Sequence, residues 1–371
     1  MIIYTRWAMP RLAGRGLMAK VSGFTGFGKI GVLVFALAAV AILTTPPGAA
    51  VSPNRYTVTP LVSNHAMGGA TVDGNLLNAW GLVAGPTTPW WVADNGADLS
   101  TLYNAVGGKV PLEVAVDGAP TGLVFNGDAA SFLIDGARAR FIFATEAGTI
   151  AGWNGAGAAQ VVVDQSAAGA IYKGLAIATT STGPQLYGTD FANARVDVID
   201  ASWALQTAGG FVDPNLPAGY APFGIQTIGT RIFVTYAKQG EGADEVDGPS
   251  LGFVDAYDVD GNFVVRVAQR GQLNAPWGIA MAPASFGMFG GDLLIGNFGD
   301  GHINAYQEQP DGTFELVGGL RTTDGHRLTI DGLWALQFGN GAPSNGPIDT
   351  LFFTAGPNDE EDGLFGSIRA A

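Results

Sequence analysis

The chain has 371 residues, of which 56 are glycine and 20 proline, with no cysteine and a formal net charge of −14. Hydrophobic residues at 47% against 13% charged exclude disorder, which requires the opposite balance. The lack of thiols excludes a disulfide scaffold, a thiolate metal site and a cysteine nucleophile, and an acidic chain without a basic stripe argues against nucleic acid as a partner.

Residues 1–50 hold Arg6, Arg11, Arg15, Lys20 and Lys29 but no acid, then an apolar run over 30–43, then Gly48, Ala49 and Ala50. A basic stretch, a short apolar core and small residues in that order predict a Sec-type signal peptide over 1–50 and a secreted or periplasmic protein. The 14-residue run is shorter than the roughly 20 residues a membrane span requires. No membrane association is therefore expected after cleavage, with an N-terminal anchor as the alternative. Loss of this segment leaves 13 basic against 32 acidic residues, net −19. Such a charge favours solubility and cationic partners, metal ions included.

Residues 51–371 read as one domain built from repeats. A turn residue, then glycine, then Leu or Ile recurs as Trp80-Gly81-Leu82, Thr121-Gly122-Leu123, Lys173-Gly174-Leu175, Phe223-Gly224-Ile225, Trp277-Gly278-Ile279 and Asp331-Gly332-Leu333. The glycines are 41, 52, 50, 54 and 54 residues apart. A second apolar strand follows each motif, over 90–93, 141–145, 186–189, 232–236, 293–296 and 351–354. A third follows over 102–106, 150–153, 196–199, 252–257, 302–306 and 363–368, and fourth strands are weaker. Short strands separated by Gly, Asp, Asn and Pro clusters predict an all-β fold. Six repeats of four strands predict a six-bladed β-propeller of antiparallel blades. The glycine suits an inner strand, where blades crowd the axis. The chain runs out after 363–368, so the strand at 56–62 is expected to complete the last blade and remove its free edge.

The pattern resembles NHL-type six-bladed propellers and, among them, a bacterial family of exported proteins without an assigned activity. The resemblance rests on Ala275-Pro276-Trp277-Gly278-Ile279 and on Gly296-Asn297-Phe298-Gly299-Asp300-Gly301 leading into Ile303-Asn304-Ala305-Tyr306. It rests also on Asp331-Gly332-Leu333-Trp334 with Phe338-Gly339-Asn340-Gly341, and on Phe353-Thr354-Ala355-Gly356-Pro357 with Gly363-Leu364-Phe365-Gly366-Ser367-Ile368. It implies the fold and the export, and no reaction.

In a propeller, loops entering the inner strands and loops leaving the second strands share the face around the channel mouth. The second strands end on Asp94, Glu146, Asp190, Tyr236, Asn297 and Ala355. The inner strands are entered through Trp80, Thr121, Lys173, Phe223, Trp277 and Asp331. Asp94, Glu146, Asp190, Asn297 and Asp331 are hard oxygen ligands suited to Ca²⁺ or Mg²⁺. The competing reading has them capping turns. Two acidic loops, with Glu241, Asp244, Glu245 and Asp247 and with Asp359, Glu360, Glu361 and Asp362, are expected on the same face as solvated charge. Gly248-Pro249-Ser250-Leu251-Gly252 matches the nucleophile-elbow pattern but not its strand–Ser–helix context. His65, His302 and His326 read as satisfied surface histidines. Trp80, Phe223, Trp277 and Trp334 read as inter-blade packing, with sugar stacking as the alternative. The expected function is a monomeric binding or interaction module whose channel face takes a protein, glycan or small molecule, with no catalytic residue assigned. The alternative is a divalent-metal hydrolase of the lactonase or phosphoesterase type using Glu146, Asp190, Asn297 and Asp331.

Overall fold

Short apolar runs broken by glycine and Asx turns cannot bury both faces alone, so they pair into sheets that bury each other. A computed structural model describes residues 52–206, 209–242 and 244–371, and Val51–Ala371 is one compact unit. The expected signal peptide over 1–50 lies outside the described residues.

Six antiparallel sheets form the blades of a six-bladed β-propeller. Blade 1 is Ala79–Val83, Trp90–Asp94, Leu99–Tyr103 and Lys109–Ala115 from axis to rim, and blade 2 is Pro120–Phe125, Phe141–Thr145, Thr149–Trp153 and Gln160–Asp164. Blade 3 is Tyr172–Thr180, Gly183–Asp190, Arg195–Asp200 and Leu205–Gln206. Blade 4 is Tyr220–Ile228, Arg231–Gln239, Phe253–Asp258 and Phe263–Gln269, with Glu245–Val246 added to its second strand. Blade 5 is Pro276–Met281, Leu293–Asn297, Ile303–Glu308 and Phe314–Gly319. Blade 6 is Leu333–Phe338, Leu351–Ala355 and Leu364–Ala370, completed by Tyr56–Ser63 from the other end of the chain.

That last pairing is antiparallel from Tyr56 opposite Ala370 to Ser63 opposite Leu364. Tyr56 anchors it, buried against Phe286 and Phe289, with its hydroxyl donating to the Phe286 carbonyl at 3.1 Å. The closure expected from the sequence is present. Thr354 of blade 6 donates its hydroxyl to the Trp80 carbonyl of blade 1 at 2.5 Å, and Thr189 of blade 3 to the Phe223 carbonyl of blade 4 at 2.7 Å. Apolar clusters fill the gaps between neighbouring blades, each drawing on both.

The inner-strand glycine has a packing reason. A Cβ on Gly224 would stand 2.1 Å from the Trp277 carbonyl oxygen of the next blade, and one on Gly122 would stand 2.2 Å from the Leu175 nitrogen. The sixth repeat departs from the expected alignment. Leu333 lies opposite Ala355 just as Ala79 lies opposite Asp94 and Pro276 opposite Asn297. Trp334 and Ala335 are therefore the counterparts of Trp80 and Gly81. Gly332 sits ahead of the strand, at φ +60 and against the Gly356 carbonyl, as a turn glycine. Its resemblance to the repeat glycine is a coincidence of local sequence, three residues early.

Candidate functional site

The six inner strands bring Trp80, Thr121, Lys173, Phe223, Trp277 and Trp334 to the axis. Trp80 stacks on Trp334 at 3.6 Å between ring centroids. Trp277 meets them edge-on at 6.2 and 5.9 Å, and Phe223 at 6.5 and 5.9 Å. These four buried side chains plug the channel. They pack on each other across the axis and not between blades as expected, and their burial removes sugar stacking as a role. Lys173 takes a place that aromatic residues occupy in four of the other blades.

Register decides which of the expected ligands reach this mouth. Opposite the inner-strand residue that precedes each axial side chain, the second strands carry Asp94, Thr145, Asp190, Tyr236, Asn297 and Ala355. Glu146 is one residue past that position, in the turn that follows the strand, where its backbone N–H donates to the Ala119 carbonyl at 3.0 Å. Asp94, Asp190 and Asn297 are fully buried within their own blades. Asp94 accepts the Thr101 backbone N–H at 2.8 Å, and burial pushes its carboxyl well above the usual range. Asp190 accepts from Asn193 at 2.8 Å and pairs with Arg195 at 3.2 Å, and burial raises it too. Asn297 donates to the Gln272 carbonyl at 2.7 Å and to Asp300 at 3.0 Å. Asp331 is exposed and accepts the Asn358 N–H at 3.0 Å. The five expected ligands do not converge, and among the described residues no three His, Asp or Glu side chains are placed to hold one ion. The turn- and loop-holding reading describes most of them.

Glu146 alone turns to the axis, and it finds Lys173. Their charged atoms are 2.5 Å apart, with Glu245 at 3.9 Å from the same ammonium. The Lys173 side chain is 3% exposed and its Nζ lies 5.0 Å from the Trp80 ring centroid. Burial works against its charge, but Glu146, Glu245 and Glu360 outweigh burial and hold Lys173 above its ordinary value. Burial pushes Glu245 up to about 7 against the pull of Lys173, and raises Glu360 as well. Asn78 ties the cluster together. It donates to Glu360 at 2.6 Å and to Asn95 at 3.2 Å, accepts from the Trp334 indole at 3.1 Å, and Asn95 in turn donates to Glu146 at 3.0 Å. Asn358, Asp359 and Glu360 all have left-handed backbones, at φ 59, 52 and 66, as does Asn78 at φ 44. Consecutive non-glycine residues in that region are strained, and strain of this kind gathers at functional sites.

Most acids of the two loops are exposed as expected, Glu241, Asp244, Asp247, Asp359 and Glu361 among them, but each loop turns one glutamate inward, Glu245 to Lys173 and Glu360 to Asn78. Beside them an open cleft of about 260 Å³ is lined by Asp247, Phe298, Asp331, Asp359 and Glu360. Phe298 forms its apolar side, stacked on Trp334 at 4.2 Å. The signal that could have found Lys173 is a lone lysine at a position filled by Trp or Phe in four of the other five blades. Ser250 donates to the Gly271 carbonyl at 3.2 Å and precedes no helix. His65 and His302 lie beside Asp362 and Asp300, at 3.4 and 3.2 Å, and His326 is exposed.

No protein-family model matches the chain. "Uncharacterized protein L690" of Acanthamoeba polyphaga mimivirus is 31% identical over 333 residues, covering 84% of this chain and 85% of that protein. "Uncharacterized protein R648" of the same virus is 31% identical over 346 residues, covering 88% and 83%. The chain belongs to the family of these viral proteins. The resemblance pointed to bacteria, whereas these relatives are viral; no activity is assigned to either. Among solved structures the chain is similar to a glucose dehydrogenase, with TM-score 0.54, 14% identity and coverage of 85% of this chain and 99% of that one. It is similar also to a protein of unknown function from Bacteroides thetaiotaomicron, with TM-score 0.52, 11% identity and coverage of 85% and 76%. Likeness at that identity shows the fold alone.

Proposed function

We propose that the protein is a binding module whose channel-mouth cleft takes a small organic cation. The observation that carries this reading is an open cleft with four carboxylates, Asp247, Asp331, Asp359 and Glu360, around the ring of Phe298. Carboxylates supply the countercharge, and an aromatic face attracts a cation most when water is excluded. The rigid aromatic plug beneath holds that face in place, so little ordering is needed on binding. Export through residues 1–50 belongs to the same proposal and rests on their basic, apolar and small-residue succession.

Calorimetric titration with choline and with its uncharged isostere dimethylbutanol tests the reading. Choline binds, the isostere does not, and Phe298→Ala and Asp331→Asn each weaken choline. Equal heats for both compounds, or none with choline, refute it. Ca²⁺ titrated in the same way tests the divalent-ion alternative, which requires saturable binding that Asp331→Asn weakens.

A further inference from the structure

Away from the channel mouth, the apolar cluster between blades 1 and 2 leaves an open groove beside it. Side chains from loops close other gaps: Phe132 and Trp203 between blades 2 and 3, Phe211 between blades 3 and 4, and Phe286 and Phe289 between blades 5 and 6. Between blades 1 and 2 a groove of about 480 Å³ remains, of the size that holds a small molecule. Its walls are aromatic and aliphatic. Trp91 stacks on Phe141 at 3.8 Å, Trp153 lies 5.0 Å from Trp91 and Phe125 lies 5.3 Å from Phe141, facing Val110 and Leu112.

Two arginines, Arg138 and Arg140, also line it. Arg138 donates to the Gly127 carbonyl at 3.0 Å and lies over Phe125, its guanidinium carbon 5.9 Å from the ring centroid. The ion pairs among the described residues engage Lys109, Lys173, Arg195, Arg231, Arg266 and Arg369, and neither groove arginine. Asp128, on the same loop, accepts the Ala130 backbone N–H at 2.7 Å. Asp128 acts on Arg138 only from beyond ion-pair distance, and in a chain of net charge −14 two guanidinium groups at one apolar groove are a marked local reversal of sign.

We propose that this groove is a second binding site, for a small apolar anion such as an aryl-alkyl carboxylate. The aromatic walls take the apolar part and Arg138 and Arg140 the carboxylate, since guanidinium matches that group in charge and geometry. Residues 1–50 fit poorly as an occupant, because they carry five basic residues and no acid.

The test uses the full chain with phenylbutyrate and its neutral analogue phenylbutanol, read by tryptophan fluorescence, since Trp91 and Trp153 line the groove, and by displacement of anilinonaphthalene sulfonate. Phenylbutyrate binds about tenfold or more tightly than phenylbutanol, and Arg138→Gln with Arg140→Gln removes the difference. Val110→Trp, which fills the groove, abolishes both. Equal affinities in the native chain, an unchanged preference in the double variant, or no binding at all to the full chain overturns the proposal. The double variant changes two rim side chains outside the packed core, so it remains a test even where Val110→Trp disturbs folding.

Discussion

Replacing Glu245 with glutamine probes the Lys173 cluster most directly. The Glu245 side chain is 7% exposed, and burial raises its carboxyl from an ordinary 4.5 to about 7. A carboxyl raised in the folded state binds its proton more tightly there than in the unfolded chain. The resulting stability is complete below the unfolded value and is lost as pH rises through about 7. The rise corresponds to about 3 kcal/mol, an upper magnitude for one well-buried group. Glutamine cannot ionise, and Lys173 keeps Glu146 at 2.5 Å, so the variant should lack this term without losing the lysine's main partner. Urea unfolding at steps from pH 4.5 to pH 9 gives the comparison. The native chain loses about 3 kcal/mol more than Glu245→Gln across that range. Asp94 and Asp190, which do not act on Glu245, are raised in both proteins and cancel in the difference. Parallel profiles would refute the reading that burial of the Glu245 carboxyl outweighs the pull of Lys173.

Two further outcomes test the architecture. Gly224→Ala forces a Cβ toward the Trp277 carbonyl and should cost about 2 kcal/mol or more, whereas Gly74→Ala, with nothing within 4 Å, should stay within about half a kcal/mol in the same denaturation assay. Equal effects would show that the inner strands do not approach so closely. Tyr56→Ala removes the buried ring that anchors the closing strand and should cost about 3 to 5 kcal/mol. It should also raise light scattering at lower temperature as the Leu364–Ala370 edge opens; a variant with native stability would place the closure elsewhere.

Blade number, strand order and ring closure were legible in the sequence, because each depends on local alternation and on a repeat that cannot bury its faces alone. The lone chemistry-bearing position in the aromatic ring, Lys173, was visible there as well. What it does was not. Glu146 and Asp94 look equivalent at the ends of apolar runs, yet Asp94 is the last residue of its strand and is buried in its blade, whereas Glu146 lies one residue past its strand, in a turn that brings it to Lys173. Likewise Asp331 and Trp334 both lie near a Gly or Ala before an apolar strand, and only strand pairing shows which one stands beside Trp80. Glu245 and Glu360 come from loops 72 and 187 residues beyond Lys173 in the chain. That the charges of both act on one ammonium is a property of the closed ring, since local sequence governs which strands form and only packing governs which side chains share the axis.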